Sequence, residues 1–204
     1  MPRTGERGGP RTRARISEAA TRLFLERGFD TVTVAEVARE AGVSSVTVFN
    51  HFPRKEDLLL DRSLDAVELL RSAVRDRAPD VDALASLRET TLRLVDTRHA
   101  LSGVADGSVP FFRTVAASPA LIARAREIAA DLQRTLAEEL DQDPTFDGDA
   151  TLLAAFFIAG YSTVLVETAR RLIAEEPPNT VADDHHTRLE RLFDALRDGV
   201  LPRP

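Results

Sequence analysis

Apolar residues recur at intervals of three and four along almost the whole chain, which is the spacing of amphipathic helices. The first such face consists of Ile16, Ala19, Ala20, Leu23 and Phe24. Glycine or proline separates most of these stretches, and no alternating apolar–polar run with hairpin turns occurs. The pattern predicts an all-α protein of about nine helices.

Several predicted boundaries can be tested. One long helix is expected from about Arg54 until Pro79 ends it, and another from Ser118-Pro119 to about Leu140. The last two helices are expected near residues 149–175 and 184–200. Between the earlier helices, Gly103 and Gly107 are expected to loosen the chain.

Composition limits the class of protein. The chain has 204 residues, of which 43% are hydrophobic and none is cysteine. Disulfides, thiolate nucleophiles and cysteine-ligated metals are therefore excluded. The N-terminus has arginines without a following apolar stretch, and the uncharged run at residues 150–166 is interrupted by polar side chains. We expect a soluble cytoplasmic protein that does not contact a membrane.

The charge is unevenly distributed. Residues 1–60 contain ten basic and eight acidic side chains, whereas the rest of the chain contains 17 basic and 25 acidic ones. Five arginines fall within the first fifteen residues. A basic end on an acidic protein indicates either a polyanionic partner or a solvated tail, and charge alone does not decide between them.

Residues 33–52 have the layout of a helix-turn-helix, in which the second helix enters the DNA major groove. Thr33 and Glu36 have the spacing of a capping box, Gly42 permits a tight turn, and Ser44 or Ser45 is placed to cap the second helix. With Ala38, Val43 and Val48 facing inward, the outer residues are Ser45, Val46, Thr47, Asn50 and His51. The same layout also occurs in helical proteins that do not bind DNA.

The segments FLERGF (residues 24–29), TVTV (31–34), AGVS (41–44) and VFNHFPRKEDLL (48–59) closely resemble the N-terminal signature of the tetracycline-repressor (TetR) family. The resemblance covers about residues 13–60 and implies a three-helix DNA-binding domain there. It further implies a helical ligand-binding and dimerisation domain at residues 61–204, and we expect a flexible basic arm at residues 1–12. Family members are usually homodimeric regulators, mostly repressors, that leave their operator when a small molecule binds.

The resemblance implies roles for single residues in DNA binding. Thr33 would hold a phosphate at a helix N-terminus, and Ser44 would cap the recognition helix with a possible phosphate contact. Ser45, Val46 and Thr47 would face bases, the methyl groups of Val46 and Thr47 being suited to thymine methyls. The remaining DNA-binding candidates are Phe49, Asn50, His51, Lys55, Arg11 and Arg13.

Three of these candidates carry more specific expectations. Lys55, the only lysine in the chain, falls at the family's phosphate-binding lysine. Phe49 replaces the family's usual tyrosine and lacks the hydroxyl that meets a phosphate, so packing is its expected main role. Arg11 and Arg13 lie at the basic N-terminus, which is expected to reach a minor groove.

The C-terminal part is expected to bind a small apolar or amphipathic effector and to form the dimer. Candidate pocket residues are Thr91, Arg98, Phe112, Phe156, Phe157 and Tyr161. Ordinary core packing is the alternative for each aromatic residue, and Phe156 and Tyr161 fit either a pocket or a dimer interface. The resemblance implies that the last two helices pair across a homodimer that binds a palindromic operator.

No motif for catalysis or for a cofactor is found, so no enzyme, cofactor or metal site is predicted. The sequence DDHH at residues 183–186 fits acidic capping of a helix start better than a metal site. The leading hypothesis is a ligand-responsive, sequence-specific DNA-binding regulator, most simply a repressor. The alternative is a helical ligand-binding or interaction protein whose helix-turn-helix is non-functional.

Overall fold

A computed structural model describes residues 9–200 of the chain. Within this range it contains nine α-helices, two single 3₁₀ turns and no strand, which confirms the predicted all-α class. The helices are α1 (Gly9–Arg27), α2 (Val34–Glu40), α3 (Ser45–His51), α4 (Ser63–Arg75), α5 (Ala83–Asp96), α6 (Ser108–Ala117), α7 (Pro119–Asp141), α8 (Ala150–Ile173) and α9 (Pro178–Val200).

The expected continuous helix from Arg54 to Pro79 is wrong. A 3₁₀ turn at Glu56–Leu58 comes first, and α4 begins only at Ser63. Asp61, which lies between them, is held by α1: its carbonyl accepts a hydrogen bond from Arg13 (3.5 Å) and its carboxylate accepts one from Ser17. These hydrogen bonds from α1 hold the segment between the 3₁₀ turn and α4.

Two other elements differ from expectation. Helix α6 was not anticipated, because Gly107 precedes it and Pro110 lies within it. Proline is tolerated in a first turn, where its missing N–H has no helical partner, and Gly107 adopts a φ of 86°. Helix α9 begins at Pro178, so residues 183–186 lie inside it and not at its start.

The chain divides into two compact units. One comprises residues up to Asp61 together with Arg113–Ala125, and the other comprises Arg62–Phe112 and the residues from Arg126 onward. The expected DNA-binding domain, residues 13–60, falls within the first of these units. Of the expected arm, residues 1–8 lie outside the described residues, and residues 9–12 form the first turn of α1.

The first unit has a core built by α1, α2 and α3. The inward face of α1 is the one expected from its spacing, with Ile16, Ala20 and Phe24 fully buried. Val48 of α3 is also fully buried, and Phe29 packs on Phe24 with ring centroids 5.0 Å apart. This core fixes the helix-turn-helix.

The second unit is centred on α5, α8 and α9. Phe157 of α8 packs against Phe193 of α9, with ring centroids 5.5 Å apart. Gly160 lets α9 approach closely, because a Cβ there would lie 2.3 Å from Leu192 Cδ1. The small residue at position 160 therefore serves the contact between α8 and α9 of the same chain.

Helix α8 is also long and apolar enough, by length and composition alone, to cross a membrane. From the uncharged run at residues 150–166, which polar side chains interrupt, no membrane-spanning segment was expected. Seven residues of α8 are buried within the second unit: Leu153, Ala154, Phe157, Ile158, Val164, Thr168 and Leu172. Packing of this face explains part of the apolar composition of α8. A second apolar face of the helix remains exposed.

Candidate DNA-binding interface and effector site

Local hydrogen bonds build the helix-turn-helix. The predicted capping box at Thr33 and Glu36 is confirmed, with both reciprocal bonds present. At the turn, Gly42 adopts a φ of 64° and the amide of Val43 donates to the carbonyl of Ala38 (2.9 Å). Ser44 caps α3 by accepting a hydrogen bond from the amide of Thr47 (3.1 Å). The recognition helix is thus set by residues within the motif.

The hydroxyl of Thr33 is occupied within the protein. It donates to the carboxylate of Glu36 (2.9 Å), which also accepts from the Thr33 amide (2.8 Å) and from Arg27 (2.7 Å). The hydrogen bond from the Thr33 backbone, followed by those from Arg27 and the Thr33 hydroxyl, lowers the pKa of Glu36 to about 2. A phosphate bound at Thr33 would be repelled by the ionised Glu36 carboxylate. The structure therefore gives no support to the phosphate contact predicted for Thr33.

The outer face of α3 is mainly apolar. Val46 is 69% exposed and Phe49 is 50% exposed, and Asn50 beside them is also exposed. These positions are spaced i, i+3 and i+4, so their side chains share one face. The expected packing role of Phe49 is therefore wrong, because half of its surface faces solvent.

The other DNA-facing candidates on α3 are more enclosed. Ser45, Thr47 and His51 are half-buried, and the hydroxyls of Thr47 and Ser44 lie 2.9 Å apart within the cap. Ser44 itself is exposed beside this cap. The face most available to a partner is therefore the one formed by Val46, Phe49 and Asn50.

Arg13 makes contacts that the sequence analysis did not identify. Its guanidinium donates to the carbonyl of His51 (2.6 Å) and lies 4.1 Å above the ring centre of Phe52. It thereby holds the C-terminal end of α3 against α1. Arg11 is exposed two residues earlier, so only Arg11 of this pair keeps an open path to a partner.

Lys55 likewise has a role within the protein. Its ammonium donates to the carbonyl of Phe29 (2.6 Å) and lies 4.3 Å from the ring centre of Phe29. It is also 5.7 Å from the ring centre of Phe24. The chain after α3 is thus fastened to the turn that follows α1, and the phosphate contact expected for Lys55 stays a prediction.

Substitution of Lys55 by methionine is expected to destabilise the first unit by about 2 kcal/mol, since a charged hydrogen bond and a cation–π contact are lost. Urea unfolding measures this loss, with Arg15→Met on exposed α1 surface as the control. An unchanged free energy of unfolding would contradict the role inside the protein. A phosphate contact would show separately, as a fall of about 0.9 in the salt slope of DNA binding.

The structure separates the six pocket candidates. Phe112 is buried in a cluster with Leu172 and Val181, and Thr91 and Phe157 are buried in the second unit. Tyr161 packs at the edge of another cluster and donates its hydroxyl to the carbonyl of Leu101 (2.9 Å). Burial raises the pKa of Tyr161 to about 12.

The remaining two candidates face solvent. Arg98 is exposed and donates to Asn179 (2.9 Å), while Phe156 is 52% exposed. Successive side chains of a helix point about 100° apart around its axis. Phe157 therefore points into the core, whereas Phe156 points toward solvent. Within the described residues, Phe156 therefore faces solvent and lines neither of the cavities described below.

Two of the cavities among the described residues border the second unit. A groove of about 500 Å³ between α5 and α9 is lined mainly by charged residues, among them Arg88, Arg93 and Asp194. A smaller cavity of about 150 Å³ lies beside the segment 104–110, with Arg98 and Leu172 in its wall. The smaller one adjoins the apolar cluster of Phe112 and Val181, since Leu172 belongs to both.

Sequence reasoning missed the most unusual polar group of this unit, His185. Its side chain is 1% exposed, and its Nδ1 shares a hydrogen bond of 2.7 Å with the hydroxyl of Thr168. Its Nε2 is buried without a hydrogen-bond partner. Burial, with a smaller contribution from Arg188, lowers the pKa of His185 to about 4. The pattern DDHH alone does not reveal this burial.

Acid is expected to destabilise the protein through His185. Between pH 6.5, its ordinary pKa, and about pH 4, the unfolded chain binds a proton that the folded chain excludes. The free energy of unfolding should therefore fall as pH falls through this window, by about 2 kcal/mol at pH 5 relative to pH 7. Urea unfolding at both pH values should show that His185→Leu loses this part of the pH dependence. The more exposed His186→Gln should retain it, and equal pH dependence in both variants would refute the assignment.

The first unit matches a known family model. The model for bacterial regulatory proteins of the tetR family aligns with residues 16–61. The chain is also 34% identical over 97 residues to the HTH-type transcriptional regulator TtgR of Pseudomonas putida, covering 46% of each protein. Such matches span between 26% and 46% of the length of the first curated relatives.

Solved structures resemble nearly the whole chain. Thermus thermophilus FadR, a TetR-family transcriptional repressor crystallised with lauroyl-CoA, superposes with a TM-score of 0.59 at 27% identity, covering 94% of this chain and 96% of FadR. NalD of Pseudomonas aeruginosa, the secondary repressor of the MexAB-OprM multidrug efflux pump, gives a TM-score of 0.60 at 19% identity, covering 95% and 98%. At that identity the likeness to NalD concerns the fold.

Proposed function

Because this chain belongs to the TetR family of bacterial regulatory proteins, we propose that it is a ligand-responsive repressor that binds a palindromic operator as a homodimer. The observation that carries the proposal is the outer face of α3. Val46 and Phe49 are more exposed than their apolar character favours, and they lie on the helix that a helix-turn-helix inserts into the major groove. The protein acts in the cytoplasm, where its operator is found, and no catalytic step is part of this function.

The exposed apolar stripe of α8 supports the homodimer. Leu152, Phe156 and Val166 are 48%, 52% and 61% exposed, and they are spaced so that one face carries them all, with Ala159 and Thr163 between them. Contiguous apolar surface of this kind marks an interface in soluble proteins. A second copy, pairing its α8 and α9 with these helices, covers the stripe and repeats the recognition helix about a two-fold axis.

The apolar cluster around Phe112 supports an effector that is itself largely apolar. The adjoining cavity of about 150 Å³ is smaller than a typical ligand pocket, so the effector enlarges it by displacing Phe112 and Leu172. His185 lies one helical turn from Val181 of this cluster, and its buried Nε2 has no hydrogen-bond partner, so an effector head group that reaches this atom gains a hydrogen bond. An amphipathic molecule satisfies both features. FadR, which was crystallised with lauroyl-CoA, is a relative with such a ligand.

Helices α6 and α7 are each divided between the two units. Each contributes residues to both units, since the boundary runs at Phe112–Arg113 in α6 and at Ala125–Arg126 in α7. Within the first unit, Ser118 donates to Asp30 (3.1 Å), and Arg124 is paired with Asp57 (2.8 Å).

Selection of bound sequences from random double-stranded DNA tests the function. We expect a palindrome whose half-sites lie about one helical turn apart, bound by the dimer. The alternative, a helical binding protein with a non-functional helix-turn-helix, predicts no enriched sequence and no salt-dependent binding. Addition of medium-chain acyl compounds to the selected complex then tests for release, and release by none of a broad apolar panel would contradict the effector class.

A further inference from the structure

We propose that α3 reads A·T base pairs, with the thymine 5-methyl group held by Val46 and Phe49 and the adenine edge held by Asn50. This inference rests on the proposed function and names the bases that the recognition helix selects. The three side chains share the exposed face of α3. They differ from the other outer residues in being open to a partner and not tied to a cap.

The exposed apolar surface has a direct counterpart in the major groove. Thymine is the base that presents a methyl group there, whereas guanine, cytosine and adenine present hydrogen-bonding atoms at their edges. Val46 is 69% exposed and Phe49 is 50% exposed, so both have surface to bury against such a methyl. A tyrosine hydroxyl, which would favour a phosphate, is absent at position 49.

Asn50 supplies the matching polar contact. A carboxamide can pair with adenine through two hydrogen bonds, to N6 and N7 at the major-groove edge. Asn50 is exposed one residue after Phe49, at i+4 from Val46. An adjacent methyl-binding surface and carboxamide together match the two bases of an A·T pair, or of neighbouring A·T pairs.

The composition of α3 disfavours guanine. The commonest specific contact to guanine is a bidentate arginine or lysine, and the helix sequence SVTVFNH contains neither. Two nearby cations are engaged within the protein: Lys55 with the carbonyl of Phe29 and Arg13 with that of His51. We therefore expect α3 to recognise bases in two ways: Val46 and Phe49 contact thymine methyl groups, and Asn50 pairs with adenine.

The test replaces thymine by deoxyuridine in the selected operator, which removes the methyl group and leaves Watson–Crick pairing intact. Dissociation constants are measured by fluorescence anisotropy at fixed salt. For each contacted thymine we expect binding to weaken about fourfold, which corresponds to about 0.8 kcal/mol for one buried methyl. Phe49→Ala and Val46→Ala should weaken binding to the thymine operator and abolish the discrimination against deoxyuridine. Asn50→Ala should relax the preference for adenine when selection is repeated.

Leu64→Ala is the control, because Leu64 is a 63% exposed leucine outside α3; it should discriminate like the wild type. Circular dichroism and thermal unfolding verify that the variants fold, as expected for exposed positions. Two results would overturn this inference while the proposed function stands. One is that the operator positions whose selection changes in Phe49→Ala are G·C pairs. The other is that thymine and deoxyuridine operators bind with equal affinity. Failure to select any operator would instead overturn the proposed function.

Discussion

Phe156→Arg is expected to leave the protein monomeric and to weaken operator binding about a hundredfold, equivalent to nearly 3 kcal/mol. Phe156 is 52% exposed at the centre of the apolar stripe on α8. In the proposed dimer the arginine would be buried near its symmetry mate, and two desolvated like charges oppose association. Each monomer then carries one recognition helix, so the binding energy of the second half-site is lost.

Analytical ultracentrifugation measures the oligomeric state, and fluorescence anisotropy measures affinity for the selected operator. Leu64→Arg is the matched control: Leu64 is 63% exposed on α4, and the same charge there should leave the dimer intact. Circular dichroism should be unchanged for both variants, because neither side chain belongs to a buried cluster. Persistence of a wild-type dimer in Phe156→Arg, and also in Val166→Arg, would rule out α8 as the interface.

Arg77→Ala is expected to lower the free energy of unfolding by about 3 to 5 kcal/mol, since it leaves a buried carboxylate without its partner. Arg77 and Asp143 are 11% and 7% exposed, with Nη2 and Oδ2 2.5 Å apart. Arg77 also donates to Thr145 (2.6 Å) and to the carbonyls of Val81 (2.9 Å) and Val74. One side chain thus joins the end of α4 to the segment after α7.

The pH dependence of Arg77→Ala separates this mechanism from simple loss of packing. Burial by itself raises the pKa of Asp143, but hydrogen bonds from Arg77 and Thr145 outweigh it, and the pKa lies below its ordinary 3.8. Without Arg77, burial should raise that pKa, so the folded variant takes up a proton more readily than the unfolded chain. Its stability deficit should therefore shrink as the pH falls from neutral towards the ordinary pKa.

Arg75→Ala provides the comparison. Arg75 is 57% exposed, and its buried partner Glu139 keeps a second cation, because Arg71 Nε lies 3.4 Å from Glu139 Oε1. The loss in that variant should be smaller than in Arg77→Ala, because the Glu139 carboxylate keeps its ion pair with Arg71. Urea unfolding at about pH 7 and pH 5 measures both variants. Equal losses in the two variants, or a deficit for Arg77→Ala that does not depend on pH, would contradict the burial argument.

Features that depend on neighbours in sequence were predictable. The capping box of Thr33 and Glu36, the glycine turn at Gly42 and the cap at Ser44 each involve residues within about one helical turn. Their geometry follows from backbone sterics and local hydrogen bonding, so the residue types suffice to identify them. The apolar face of α1 was predictable for the same reason, since helical periodicity is a local property.

Features that join distant residues were not predictable. Arg13 and His51 are 38 residues apart, Lys55 and Phe29 are 26 apart, and Arg77 and Asp143 are 66 apart. A basic side chain in a sequence has many candidate acceptors, and the packing of helices selects one of them. For this reason Arg13 and Lys55, which were expected to contact DNA, form bonds that stabilise the first unit.

The sequence by itself determined the helical class, the helix-turn-helix and the family to which the first sixty residues point, because all three depend on short-range spacing. Only the tertiary structure decided which apolar residues remain available to partners. Phe156 and Phe157 are identical neighbours, yet one is 52% exposed and the other 3%. Phe49, expected to pack, is half exposed on α3. The physical reason is that periodicity defines the faces of a helix, whereas the neighbouring helices decide which of those faces is covered.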